Sequence, residues 1–267
     1  MNQVRPAAVA GAFYPRDAST LQAQLGSYLA AVAVGGEARP PKAIIAPHAG
    51  YIYSGPIAAS IYSRLAPLRG RIRRVVLAGP AHRVYVRGAA VPTAQAFASP
   101  LGEVALDAEA IATLRELPFV EASDRAHALE HSLEVHVPFL QAVLGAFRLV
   151  PIVVGDADRR QMARLLEAVW GAEETLIVVS SDLSHYLPYD EAHARDRDTA
   201  DAILRLQPDL VAEEACGAAP INGLLEVARR RRLVPELVDL RNSGDTAGDR
   251  DRVVGYGAFA FREGAGV

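Results

Sequence analysis

Apolar and polar positions along this chain fall into blocks that fit helices and strands by turns. Leu21, Leu25, Leu29 and Val32 recur at helical spacing after Asp17 and Ser19, either of which can cap a helix running to about Val34. Lys42–Ala46 is a short continuous apolar run and reads as a buried strand. Pro56–Leu68 reads as a helix with proline in its first turn, and Arg73–Ala78 as a second buried strand. Asp107 caps a helix to about Leu117, and Glu130–Leu144 is helical in pattern, with Pro138 kinking or delimiting it. Strands over Leu149–Val154 and Thr175–Ser180 bracket a helix from about Arg159 to Trp170. Tyr189–Leu206 is a helix with a charged face, followed by late strands over Val234–Leu240 and Val253–Phe261.

The segment from Lys42 to Ala78 has the length of a right-handed β-helix-β crossover. Continuous Val, Ile and Leu runs predict a sheet covered on both faces, hence an α/β fold. Gly35–Pro41 reads as a surface loop and Pro92–Gly102 as an irregular patch. Neither is long enough to separate domains, so residues 1–267 are read as a single α/β domain.

Composition narrows the function. With 267 residues, 51% of them hydrophobic, the chain can bury one large core or two small ones. A net charge of −3 and the lack of a basic stripe argue against nucleic acid as a partner. The cluster Arg229–Arg232 ends an apolar-periodic segment and reads as a solvated helix C-terminus. No apolar stretch approaches a membrane span and the N-terminus lacks a signal-peptide pattern, so no membrane association and a cytoplasmic location are expected. Lys42, the sole lysine, leaves little room for a lysine nucleophile. Cys216, the one cysteine, excludes a disulfide framework within the chain and reads as a buried small hydrophobe.

The chemistry gathers at strand ends. His48 and His82 each follow an apolar run that ends in a Gly/Pro-rich turn, and Asp182 and His185 follow a third such run. If the three runs are neighbouring parallel strands, their carboxyl ends present these groups to one crevice. One loop histidine most often only hydrogen-bonds its surroundings; three in the same topological place favour a site. Neutral imidazole is a ligand for iron, zinc or copper. Asp182 can orient His185 as an acid/base, or cap the amides of a turn instead. Ser180, Ser181 and Ser184 raise a hydrolase reading, but the chain has no G-x-S-x-G elbow there.

In Glu130–Phe139, His131 and Glu134 share a helix face, while His136 points elsewhere. That face either lines the same pocket or braces neighbouring loops, and the spacing is not the H-E-x-x-H zinc motif. His127 and His193 lie in charged stretches and read as surface residues. Asp245 and Asp249 sit in a glycine-rich loop before the last strand. Such a carboxylate could complete a two-histidine, one-carboxylate metal site, or simply form an Asx turn.

Taken together, Val4–Pro15, Ala46–Gly55, Gly79–His82, Glu130–His136 and Ser180–Tyr186 closely resemble the Memo family, nearly end to end. The family's fold is similar to that of class III extradiol dioxygenases. The resemblance therefore implies a single domain with a central mixed sheet flanked by helices. It implies His48 and His82 as metal ligands, His185 as acid/base with Asp182 beside it, and Tyr53 at the pocket. Animal members carry a cysteine as third ligand; counting back from Tyr256 puts its place at Thr246, a poor ligand, next to Asp245. Extradiol enzymes use an acid there, so Asp245 is the expected third ligand, with Glu130 or Glu134 as the alternative carboxylate. Bacterial and archaeal relatives are associated with a radical-SAM protein, which hints at a partner.

Three functional readings follow. The first is a non-haem Fe(II) oxidoreductase acting on a small-molecule substrate, with His131, Glu134 and Tyr53 in the substrate pocket. The second is a non-catalytic metal- or peptide-binding scaffold on the same fold. The third is a zinc-type hydrolase, and copper remains a further candidate metal.

Overall fold

A computed structural model describes residues 3–32 and 40–264. Most of the Gly35–Pro41 loop, and the end of the first helix expected near Val34, lie outside the described residues. The chain opens with β1 (Val4–Arg5), α1 (Ala18–Ala30), β2 (Ala43–Ala46), α2 (Tyr51–Tyr62) and β3 (Arg74–Pro80). Short strands β4 (Ala89–Val91), β5 (Ala96–Ser99) and β6 (Gly102–Ala105) lead to α3 (Ala108–Arg115) and β7 (Val120–Ala122). Three helices, α4 (Asp124–Ala128), α5 (His131–Glu134) and α6 (His136–Leu144), precede β8 (Arg148–Val154), α7 (Arg159–Ala168) and β9 (Thr175–Ser180). The chain continues through β10 (His185–Leu187), α8 (Tyr189–Leu204), α9 (Ala218–Arg231), β11 (Leu233–Asn242) and β12 (Val253–Glu263).

The main sheet runs β10-β12-β2-β9-β3-β8-β4-β7, with β11 also paired to β12. Strands β2, β9, β3 and β8 are mutually parallel, whereas β12 joins β2 and β4 joins β8 antiparallel. The sheet is therefore mixed, as expected. Every residue of β2 and β9 is buried, which is why these strands read as unbroken apolar runs rather than alternating ones. Successive crossovers carry the chain from β2 to β3 and on to β8, then back from β8 to β9 over β3. Right-handed crossovers put helices on opposite faces when the direction reverses. Accordingly α2 and α6 pack with α1 on one side, while α7 packs on α9, which lies against β3 and β9.

Most sequence-predicted elements are present, with instructive differences. Asp17 does cap α1, accepting the Thr20 amide at 2.8 Å. Helix α2 begins five residues before Pro56 and ends at Tyr62, with a 3-10 turn over Ser63–Leu68. Proline is thus inside the helix, where it removes only the bond to the carbonyl of exposed Ile52. The predicted Glu130–Leu144 helix breaks into α5 and α6, with Pro138 in the first turn of the second. Pro92–Gly102 is not irregular: it contains β5, the middle strand of a separate β1-β5-β6 sheet.

Candidate metal centre

The order β2-β9-β3 sets the site. His48 follows β2, Asp182 and His185 follow β9, and His82 follows β3, so three adjacent carboxyl ends deliver these groups to one rim. A further imidazole, His131, arrives from α5. One nitrogen each of His48, His82 and His131 lie within 4.8 Å of one another. The rings of His48 and His82 meet edge-on at 5.2 Å, and those of His82 and His131 stack at 4.6 Å. The helix carrying His131 can approach this closely because Gly79 has no side chain: a Cβ there would lie 2.9 Å from Leu133 and 3.1 Å from the Ser132 hydroxyl.

Hydrogen bonds fix which nitrogen each imidazole offers. The Ser180 hydroxyl donates to the Ser132 carbonyl at 2.6 Å, so its oxygen must accept from His48 Nδ1, also at 2.6 Å. His82 Nδ1 donates to Glu130 Oε1 at 3.0 Å, and His185 Nδ1 to the Leu183 carbonyl at 2.8 Å. In all three rings the proton sits on Nδ1 and the lone pair on Nε2. Burial pushes His48 well below the ordinary imidazole range, and the neighbouring His82, His131, His136 and His185 push it the same way. His131 is lowered to about 4, chiefly by burial, with Glu130 opposing. Its Nδ1 lies 3.3 Å from Glu130 Oε1 but is not directed at it, and is buried without a hydrogen-bond partner among the described residues.

Cys216, read in the sequence as a buried small hydrophobe, belongs here, and Tyr256 lies nearby. Cys216 is not an inert core residue: its sulfur lies 3.4 Å from His48 Nε2 and accepts the Asp182 amide at 3.3 Å. Gly217 lets this segment close on β9, since a Cβ there would meet the Ser180 carbonyl at 2.5 Å. Burial, then the Asp182 charge, pushes the Cys216 thiol up to about 12, so without a cation it is protonated. Tyr256 is buried; burial first, and then the nearby Asp182 carboxylate, raise its hydroxyl far above the usual phenol. Only the proximity of Cys216 to the strand-end histidines could have found it, and nothing local in the sequence carries that.

The carboxylates depart from expectation. Asp182 does not orient His185. Its Oδ1 accepts the His48 amide at 2.7 Å, so it braces the turn after β2. Burial raises Asp182 to about 6, against the His48 amide bond and the charges of His185 and His82. Glu134 is buried against the N-terminal segment. Its oxygens take the amides of Ala8 and Val9 at 2.8 and 2.9 Å, the Tyr14 hydroxyl at 2.6 Å and the Arg5 guanidinium. Glu130 is held near 2: burial works upward, but bonds from the His82 ring, the Ser132 amide and the His82 amide prevail.

Asp245 is not among the gathered groups. Its oxygens accept the Tyr189 hydroxyl at 2.5 Å and the Asn242 amide at 3.0 Å, closing a local turn on the exposed surface. Asp249 likewise bonds the Asp251 and Arg252 amides, and Thr246 donates to the Ser243 carbonyl. His136 is buried on Tyr62, as its direction predicted, but His127 is buried rather than superficial, with Nε2 3.1 Å from the Ala90 carbonyl. Tyr53 is half-buried in the first turn of α2.

The donors open onto a cleft of roughly 560 Å³ lined by His82, His185, Leu187, Arg195, Ala212, Glu213 and Cys216. Among the described residues the exposed large hydrophobics are Ile52, Tyr85, Leu129, Tyr186, Val211 and Val234. All but Val234 lie close in the chain to a residue of the site or cleft.

This donor set fits a divalent cation: a buried imidazole, His48, and a solvent-facing one, His82, both with Nδ1 pinned by hydrogen bonds, an orphaned ring nitrogen on His131 and a thiol against the His48 ring. A mixed sheet whose parallel central strands carry a histidine cluster at their carboxyl rim places the chain among α/β proteins with a candidate metal site there. A model of the Memo-like protein family matches residues 5–260. A MEMO1 family protein of Aquifex aeolicus is 36% identical over 274 residues, covering 97% of this chain and 99% of its own. One from Ignicoccus hospitalis is 39% identical over 285 residues, covering 97% and 98%. The chain belongs to the Memo family. An uncharacterised protein of Escherichia coli K12 shares the fold, with a TM-score of 0.51, 17% identity, and coverage of 82% of this chain and 99% of that one. No helix among the described residues is long and apolar enough to cross a membrane.

Proposed function

We propose that this protein is a metal-dependent oxidoreductase that binds Fe(II), with zinc or copper as competing ions, and acts on a small molecule in the cleft. The observation that carries this reading is the convergence of His48, His82 and His131, with the Nδ1 protons of the first two directed outward. His48 and His82 would hold the ion through Nε2, with Cys216 and His131 as the further donors within reach. A bound Fe(II) with open positions would supply Lewis acidity and dioxygen chemistry. His185 lines the same cleft with its Nδ1 proton given to Leu183, so its Nε2 can take a proton from a substrate hydroxyl and return it. Arg195 and Glu213 supply charge at the cleft wall, and Leu187 and Ala212 add apolar surface beside them. The test is metal content after anaerobic loading with Fe(II). His48→Ala and His82→Ala should each lose most of the bound iron, and undiminished stoichiometry in both would overturn the proposal.

The exposed side chains of Tyr85, Tyr186 and Val211, each within three residues in the chain of a cleft residue, favour a second reading, in which the protein docks a peptide or protein and turnover is absent. A radical-SAM-associated protein is one proposed partner. Oxygen consumption with a catechol panel separates the two. Turnover lost in His185→Ala supports the enzyme, and peptide binding indifferent to that change supports the docking module.

A further inference from the structure

We propose that Glu130 is the positioning residue of this centre: it binds no metal itself, but fixes the tautomer and aim of His82 and the placement of His131. The inference rests on the reading of the site as a metal centre.

Glu130 is 2% exposed and lies between both histidines. Its Oε2 accepts the backbone amide of His82 at 2.6 Å, and its Oε1 accepts the His82 ring at 3.0 Å. The same Oε1 accepts the Ser132 amide at 2.9 Å, which makes Glu130 the N-cap of the short helix that begins with His131. One buried carboxylate therefore grips the main chain and ring of one candidate donor, and the first turn carrying another.

The other acids do not share this role. Asp182 holds the main-chain amide of His48, whose ring is set by Ser180 instead. Glu134 spends its acceptors on the N-terminal segment. With Nδ1 pinned to Glu130, His82 can present only Nε2 to the cleft. A metal-bound imidazole with a carboxylate behind it is also the more basic ligand. Three donors already saturate most of the acceptor capacity of Glu130, which argues against ligation by the carboxylate itself.

The experiment uses the full chain with Glu130→Gln. Glutamine keeps the length, but its amide group turns N–H toward at least one of the three groups that now donate to Glu130. Histidine tautomers are read by nitrogen-15 NMR on the metal-free protein, and binding by Co(II) titration followed in the visible spectrum. Wild-type His82 should be the Nδ1–H form, and the variant should shift towards Nε2–H. Co(II) affinity should fall by about 10- to 100-fold. The saturated spectrum should be unchanged, since no ligand is lost. An unaltered tautomer with unaltered affinity overturns the proposal, as does a saturated spectrum showing a lost oxygen donor. If the wild type binds no Co(II), the metal reading itself fails, while the NMR arm still decides whether Glu130 sets the ring. Should Glu130→Gln not fold, Glu130→Asp withdraws the carboxylate by one methylene. It should weaken Co(II) binding in the same range, and wild-type affinity there overturns the proposal.

Discussion

Asp182 Oδ1 accepts the backbone amide of His48 at 2.7 Å, tying the turn after β2 to the end of the adjacent strand β9. Both groups are buried, so the amide has no water to turn to. Asp182→Ala should cost about 1–3 kcal/mol of stability, the penalty for an unpaired buried donor. Asp182→Asn keeps an oxygen in place and should cost less than half of that. Urea denaturation of both variants checks the order. An alanine variant as stable as wild type would mean that the bond does not hold the turn.

Glu134 and Arg5 form a buried ion pair, and the same carboxylate gathers the Ala8 and Val9 amides and the Tyr14 hydroxyl. Removing one partner of such a pair strands a charge in the interior. Glu134→Ala is expected to destabilise the fold by about 3–5 kcal/mol and to speed hydrogen exchange in residues 4–14 before the rest of the chain. If Glu134→Ala instead kept wild-type stability but lost ligand binding, Glu134 would be a pocket residue after all.

Acid should destabilise the protein through its buried imidazoles, and His127 isolates one of them away from the cleft. Burial lowers His127 from 6.5 to about 4, against the Ala90 carbonyl bond. Between those values the unfolded chain binds the extra proton and the folded chain does not. This group's contribution is thus fully present above about pH 6.5 and is lost as pH falls towards 4, by on the order of 3 kcal/mol. His127→Gln removes the titration while keeping an amide donor for Ala90. Its stability should fall less steeply than that of wild type between pH 6.5 and 4.5. Parallel curves for the two proteins would rule out this origin.

The sheet was legible in the sequence because its central strands are buried on both faces and so carry unbroken Val, Ile and Leu runs at Ile44–Ile45, Val75–Leu77 and Ile177–Val179. His48 and His82 were legible for a related reason, since each stands just beyond such a run. What could not be read was tertiary. Whether Glu134 meets a pocket or Arg5 depends on a segment more than a hundred residues away. Asp182 lies three residues from His185, yet spends its oxygen on His48 across the sheet. Short strands such as β4 and β7 left no pattern long enough to detect. His127 sat in a charged stretch because its neighbours, not its own face, meet water.

The third donor is the sharpest difference between sequence and structure, and three variants separate the candidates. Asp245 is bound to Tyr189 and Asn242 at the exposed surface, so Asp245→Ala should leave metal stoichiometry and affinity unchanged. Cys216 lies against His48 Nε2 and His131 stacks on His82, so each can reach an ion held by those two rings. The two leave different optical signatures. A thiolate bonded to Co(II) adds an intense charge-transfer band in the near ultraviolet, which imidazole does not. If Cys216 is the donor, the band should be present in wild type, absent in Cys216→Ser and retained in His131→Ala. Binding should then release a proton from sulfur, because the thiol is pushed up to about 12 in the free protein. A wild-type spectrum without the band, together with affinity lost in His131→Ala, assigns the third position to His131. Loss of binding in Asp245→Ala alone would contradict the geometry of the whole centre.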